Sequence, residues 1–231
     1  MPIVSQCTVI HIQDLKEGLK KYTLRPERPT FYEAGQYLQL TLEKVSASDY
    51  WPISRPFSIA SYSKDKKSDL EIIVKSKGGY SSLINTELRV GSELTIKYPY
   101  GDFILPELDE HTKIVALCSG VGITPLLAII DYLSSIDALA HLHLHYSVKT
   151  MSDLLEAKRI NLIDKDHLHL YVTREVSEGS INRRIESVDL EERYDNKESY
   201  FYISGSNEFI ADMKTMVESL GYDKIIVDSW S

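Results

Sequence analysis

Hydrophobic and polar positions alternate over the first hundred residues and cluster into runs over the rest. Val4 to Ile12 alternates and is rich in β-branched residues, which predicts a strand with one buried face. Gly35 to Leu42 repeats the pattern, and Leu70 to Lys75 and Glu93 to Lys97 supply two more strands. Short strands separated by Gly, Pro and Asp predict a small antiparallel barrel. One helix is expected inside it, from about Tyr80 to Leu88, ended by Val90-Gly91.

The period changes near residue 105. Pro106 to His111 is polar and reads as a linker, and Lys113 to Cys118 is a continuous apolar run of the kind a buried parallel strand needs. A helix from Thr124 to Leu133 follows. Strand and helix then alternate: strands Leu142 to Tyr146, Leu168 to Thr173, Ser199 to Ile203 and Ile225 to Val227; helices Asp153 to Leu162, a short one near Ile185, and Asn207 to Leu220. Such alternation predicts a parallel five-stranded sheet covered by helices. The expected organisation is an antiparallel β-barrel domain over 1–106 and an α/β domain over 107–231.

Composition narrows the partners. The chain has 231 residues and a net charge of −8, which argues against nucleic acid and anionic membrane surfaces. No apolar run reaches the roughly 18 residues of a membrane span. The first residues lack a basic segment followed by an apolar one, so no signal peptide is expected and a cytoplasmic location is. Cys7 and Cys118 have no ligand spacing, which disfavours a disulfide framework and an iron–sulfur cluster. His141, His143 and His145 alternate on one face, but carboxylate or cysteine companions are absent, so no metal site is expected.

Three stretches carry candidate chemistry. Arg55-Pro56-Phe57-Ser58-Ile59-Ala60-Ser61 sets an arginine, an aromatic ring and two hydroxyls on a strand. It suits a surface holding a flat anionic ligand; an ordinary edge strand with a surface arginine is the alternative. Ser119-Gly120-Val121-Gly122-Ile123-Thr124-Pro125 joins a buried strand to a helix, with Thr124 expected as N-cap and Pro125 at the first helical position. Free N–H groups and the helix dipole there favour an anion. The third glycine of a dinucleotide fingerprint is missing, as is the acidic residue expected about 20 positions on. Gly78-Gly79-Tyr80-Ser81-Ser82 repeats the logic in the first domain, its serines able to cap the helix or to donate to a phosphate.

In this order the motifs resemble the ferredoxin–NADP reductase superfamily, nearly end to end. Arg55-Pro56-Phe57-Ser58 is similar to its Arg-x-Tyr/Phe-Ser flavin motif, and Gly79-Tyr80-Ser81-Ser82 to its Gly-x-x-Ser/Thr flavin-phosphate motif. Tyr98 to Phe103 resembles its Pro-x-Gly-x-Phe turn, and Ser119 to Pro125 its pyridine-nucleotide loop. Ser204-Gly205-Ser206 stands at its Cys-Gly-Pro position. The likeness is greatest to bacterial flavodoxin/ferredoxin reductases and oxygenase reductase modules.

The resemblance implies FAD and NADPH or NADH as cofactors. Arg55 would pair with the flavin pyrophosphate, Phe57 would pack on the isoalloxazine, and Ser58 would meet flavin N5. Pro56 belongs to the same strand, Tyr37-Leu38-Gln39 to the barrel wall beside the ring. Gly79, Tyr80, Ser81 and Ser82 would hold flavin phosphate. Gly120, Gly122, Thr124, Pro125 and Gly205 would hold the nicotinamide dinucleotide. Lys149, Arg174 and Arg184 follow successive strands, where NADPH-preferring relatives place basic residues; solvated surface charge is the alternative, and Glu175 and Glu178 weaken the field. The balance leans slightly to NADPH.

Two departures stand out. Ser204 replaces the catalytic cysteine, and Asp228-Ser229-Trp230-Ser231 replaces the acidic-x-aromatic segment. Ser58, Ser204 and Asp228 are the expected catalytic positions, and Trp230 would shield the flavin or pack on the sheet edge. The expected activity is that of a ferredoxin/flavodoxin–NAD(P)H reductase. Electrons would pass from NAD(P)H through FAD to a separate acceptor: flavodoxin, ferredoxin or an oxygenase component. The absence of an iron–sulfur domain is part of that expectation, as is a monomer. Lys64, Lys66 and Lys67 are an acceptor patch by position. The alternatives are a free-flavin reductase and a non-enzymatic flavin- and nucleotide-binding regulatory subunit.

Overall fold

The computed structural model describes every residue except 47, 66–68, 192, 193, 195–198 and 229–231, so Trp230, Lys66 and Lys67 lie outside the described residues. Two units, Met1–Ile104 and Leu105–Ser231, are each internally packed.

The first unit has strands β1 (Ile3–Lys16), β2 (Leu19–Pro26), β3 (Tyr37–Thr41), β4 (Arg55–Ser58), β5 (Leu70–Lys75) and β6 (Glu93–Tyr100). They pair antiparallel in the order β4-β3-β6-β1-β2-β5. Just past β4, the amide of Ala60 donates to the Glu71 carbonyl on β5 at 2.7 Å, so the sheet nearly closes into a barrel. Period-2 alternation sends Leu38 and Leu40 inward, beside Val9, Tyr22, Ile72, Val74, Leu94 and Ile96. Each fully buried aliphatic of this kind contributes about 1.5–3 kcal/mol.

β2 escapes the alternation reading for a local reason. Its buried residues Leu19 and Tyr22 are three apart, with Lys20 and Lys21 between, and the β1–β2 register shifts between Asp14 and Lys16, opposite Lys20 and Leu19. The helix α1 (Gly79–Glu87) forms where expected. Asn85 holds its far end. Its Nδ2 lies 2.8 Å from Ser76 Oγ and 3.2 Å from the Val74 carbonyl, and its Oδ1 accepts from the Tyr22 hydroxyl at 2.9 Å.

The second unit is a parallel sheet of β7 (Ile114–Ser119), β8 (Leu142–Val148), β9 (Leu168–Val172), β10 (Tyr200–Ser204) and β11 (Ile225–Val227). Its order is β11-β10-β7-β8-β9. The helices are α2 (Thr124–Ser135), α3 (Ala157–Ile160), α4 (Ser187–Glu191) and α5 (Asn207–Ser219). Val115, Leu117, Phe201 and Ile203 form a core with Leu190 of α4 and Met213 and Val217 of α5.

Two sequence expectations fail here. Asp153 to Leu162 is not one helix: a 3₁₀ turn covers Met151–Asp153, and Glu156 at φ 52° separates it from α3. The Asp153 carboxylate accepts from the Thr150 amide at 3.2 Å and its hydroxyl at 3.1 Å, which closes that turn on itself. Nor is Thr124 an N-cap. A 3₁₀ turn, Gly120–Ile123, runs directly into α2, and the Thr124 hydroxyl donates back to the Val121 carbonyl at 2.6 Å.

The histidines serve packing. His145 is buried, its Nδ1 and Nε2 each 3.0 Å from a tyrosine hydroxyl, those of Tyr171 and Tyr194. His141 falls in a short turn before β8, its Nδ1 2.8 Å from the Thr112 carbonyl. Among the described residues no His, Cys, Asp or Glu cluster could hold a metal ion, and no helix is long and apolar enough to cross a membrane.

Candidate functional site

In the barrel, β4 and the start of α1 meet through one pair of side chains. The Arg55 guanidinium lies 5.4 Å over the Tyr80 ring and donates to the Ser54 carbonyl at 2.8 Å. Arg55 is exposed, and no carboxylate among the described residues pairs with it. Tyr80 is fixed in turn: its hydroxyl accepts from the Leu42 amide at 3.0 Å and donates to the Ile53 carbonyl at 3.1 Å. A cation is thus held beside the N-terminal end of a helix, where the dipole also favours an anion.

The two serines of α1 divide the roles left open by the sequence. Ser81 Oγ accepts from the amides of Lys77 at 3.0 Å and Gly78 at 3.2 Å, so Ser81 shapes the turn. Ser82 makes no such side-chain bond among the described residues. At Gly78 and Gly79 an added Cβ would meet nothing within 4 Å, which leaves the first turn open to a ligand.

Ser58 pairs with Tyr37 across β3–β4, and Phe57 with Leu38. Phe57 is half-buried against the barrel core. Ser58 is 5% exposed, yet among the described residues its hydroxyl has no protein partner. Nearby, Tyr37 stacks on Tyr100 with centroids 5.5 Å apart. Gly101 is at φ +97°, and a Cβ there would come within 2.8 Å of the Tyr37 ring, so the turn after β6 requires glycine. Trp51 Nε1 donates to Ser54 Oγ at 2.9 Å, which donates to Gln39 Oε1 at 3.0 Å, and Lys97 Nζ lies 5.8 Å from the Trp51 ring centroid. Sequence reading missed Trp51, Ser54 and Lys97; an aromatic in a Pro-containing loop just before Arg55 was the available signal.

In the second unit the glycines do structural work. A Cβ on Gly122 would sit 2.5 Å from the Ser204 carbonyl oxygen, and one on Gly205 would sit 2.5 Å from Ser119 Oγ. The turns after β7 and β10 are therefore in van der Waals contact, backbone on backbone. Gly120 is at φ +54°, and its carbonyl accepts from the Tyr146 hydroxyl at 2.8 Å. Burial pushes the Tyr146 pKa well up, so this donor keeps its proton. Ser204 is 1% exposed and donates to Asp228 Oδ2 at 3.1 Å, which joins two of the three expected catalytic positions.

Lys149, Arg174 and Arg184 are exposed, and the Arg174 amide donates to the Lys149 carbonyl at 2.9 Å. Arg183 has a different task from its neighbour. It forms a two-pronged pair with Asp189 at 2.6 and 2.7 Å and lies 6.0 Å over the Tyr171 ring.

Residues 5–104 match the FAD-binding domain family. The phenol hydroxylase P5 protein of Acinetobacter pittii is 29% identical over 164 residues, 70% of this chain and 44% of that protein. The flavohemoprotein of Bacillus subtilis is 26% identical over 216 residues, 88% of this chain and 53% of that protein. The FAD/NAD binding domain of a Vibrio cholerae nitric oxide dioxygenase superposes at a TM-score of 0.80 over 96% of this chain and 98% of that one, at 19% identity. A Neisseria gonorrhoeae ferredoxin NADP+ reductase with bound FAD and NADP superposes at 0.79 over 97% and 98%, at 18% identity.

Together these matches support the ferredoxin–NADP reductase superfamily. The first unit matches the FAD-binding domain family, and the second has the parallel-sheet fold of the solved reductases. The chain spans about half the length of the curated relatives it matches.

Proposed function

We propose that this chain is a reductase module that takes hydride from NAD(P)H onto FAD and passes electrons singly to a separate acceptor, flavodoxin, ferredoxin or an oxygenase component. The observation that carries the reading is Arg55, a guanidinium without an acid partner among the described residues, held on Tyr80 beside the open first turn of α1. These residues fit a flavin that bears a pyrophosphate. The guanidinium fork suits two phosphate oxygens, and the free helix amides supply further donors. The Ser58 hydroxyl, without a protein partner among the described residues, fits a ring nitrogen at the barrel wall.

FAD supplies the conversion of a two-electron donor into a one-electron one. The protein's part is to bind, orient and hold protons. Arg55 and Ser82 would anchor the phosphates, with Phe57 and Ser58 setting the ring against β4. Ser204, held by Asp228, would present a fixed hydroxyl where the nicotinamide approaches. Lys149, Arg174 and Arg184 would meet a 2′-phosphate, which favours NADPH over NADH. Reductase components of naphthalene 1,2-dioxygenase and propane 2-monooxygenase systems are among the relatives, which supports an oxygenase-type acceptor.

One preparation tests this. A yellow protein that keeps FAD through gel filtration and bleaches faster with NADPH than with NADH is the expected result. Flavin lost on the column would favour a free-flavin reductase. A protein that takes up no FAD would overturn the proposal.

A further inference from the structure

We infer that Glu175 is a positioning residue that ties the loops after β8 and β9 and the strap before α4 into one surface for a 2′-phosphate; the inference rests on the dinucleotide reading above. By sequence alone Glu175 only dilutes a basic patch. The structure gives its carboxylate other work. Glu175 Oε1 accepts from the Met151 amide at 2.6 Å, two residues past Lys149. The Glu175 carbonyl accepts from Asn182 Nδ2 at 2.9 Å, two residues before Arg184. Glu175 itself follows Arg174, whose amide bonds the Lys149 carbonyl at 2.9 Å. One residue thus touches, through carboxylate and backbone, both of the other segments that carry the basic side chains.

The surrounding bonds stiffen the same surface. The Thr150–Asp153 turn closes the Lys149 loop, and the Arg183–Asp189 pair fixes the strap beside Arg184, whose carbonyl also accepts from Arg183 Nη1 at 2.9 Å. The charged groups facing this surface are therefore sorted. Asp153 and Asp189 accept hydrogen bonds from their own loops and Glu175 accepts one from the loop after β8, while Lys149, Arg174 and Arg184 stay exposed. Three cations carried on segments that are tied together lose less conformational entropy on meeting a phosphate than three on independent loops.

The test separates positioning from charge. Calorimetric titration of the full chain with 2′,5′-ADP and, in parallel, with 5′-AMP isolates the 2′-phosphate contribution without any turnover. E175A is expected to weaken 2′,5′-ADP binding about tenfold, the size of one lost charge-assisted hydrogen bond, while shifting 5′-AMP far less. E175Q keeps an oxygen for the Met151 amide and is expected to hold 2′,5′-ADP as well as the parent chain does. If E175A and E175Q instead tighten 2′,5′-ADP binding equally, Glu175 acts by charge alone and the inference is overturned. The double variant R174A/R184A checks the underlying reading. If it leaves 2′,5′-ADP binding unchanged, the phosphate does not bind here, and the inference falls with that reading rather than by itself.

Discussion

The Ser204 hydroxyl donates to the Asp228 carboxylate across 3.1 Å, from the end of β10 to the residue after β11. The Asp228 amide also bonds the Ile203 carbonyl at 3.0 Å, so the carboxylate is placed by backbone as well as by side chain. Asp228→Ala is expected to slow reduction of bound flavin by NADPH about tenfold, as loss of one charge-assisted hydrogen bond would. Flavin content should not change. Ser204→Ala in the Asp228→Ala background should add little, because the two act as a unit. Stopped-flow bleaching of the flavin absorbance measures both; fully additive losses would show that the pair is not one device.

Arg55→Ala should release flavin without unfolding the barrel. Arg55 is exposed, and among the described residues its side chain bonds the carbonyl of its own neighbour and lies over the Tyr80 ring, so the cost to stability is expected within about 0.5 kcal/mol. Loss of a charged, forked contact to pyrophosphate should weaken FAD binding at least ~10-fold. Titration of the apoprotein with FAD, beside a thermal melt, checks both halves. Undiminished affinity would mean that the pyrophosphate lies elsewhere.

Gly122→Ala and Gly79→Ala should differ sharply. The new methyl at Gly122 runs into the backbone of Ser204 and Gly205, which cannot swing aside, and destabilisation of about 1–3 kcal/mol is expected. At Gly79 the methyl meets open space at a position in the first turn of α1, so the melting temperature should hold. Differential scanning calorimetry of the two variants measures the contrast.

The Arg183–Asp189 pair predicts an acid-sensitive second unit. Burial alone would raise the Asp189 pKa, but hydrogen bonds from Arg183 and the Glu186 amide outweigh it and hold the carboxyl below its ordinary value. A carboxylate depressed in the folded state stabilises above its unfolded pKa, and that stability disappears as pH falls below about 4. Melting temperatures of the parent chain and Asp189→Asn should therefore converge as the medium is acidified from about pH 6 to pH 3. Parallel curves across that range would show that the pair gives no net stabilisation.

Strand and helix periods revealed most of both units, because buried parallel strands such as β7 and half-buried ones such as β3 have distinct patterns. What escaped lay where side chains, not periods, decide the backbone. Asp153 folding back on Thr150 broke an expected helix, and the adjacent Lys20 and Lys21 hid β2. At the candidate site, Arg55 and Ser58 were legible as unusual residues on a strand, whereas Ser204 and Asp228 were legible only through the family resemblance. Glu175, Tyr146 and Trp51 were not, since each acts on backbone or side chains at least 3 and up to 26 residues away. Gly122 and Gly205 were read as ligand contacts, and their tight fit against neighbouring turns becomes visible only in three dimensions.

Asn85 gives α1 an unusual mounting. The helix presents its open end at Gly79 while its polar grip on β2, on β5 and on Ser76 just past β5 lies near the other end, about 9 Å away at 1.5 Å per residue. The helix is thus pinned at its tail by Asn85 as well as at its head by the Tyr80 hydroxyl. Loosening the tail pin, as Asn85→Ala or Tyr22→Phe would, is expected to let the first turn shift more often without altering any group a phosphate would touch. If α1 holds the flavin phosphates as proposed, their affinity is expected to be adjustable from inside the hydrophobic core, by residues that no ligand reaches.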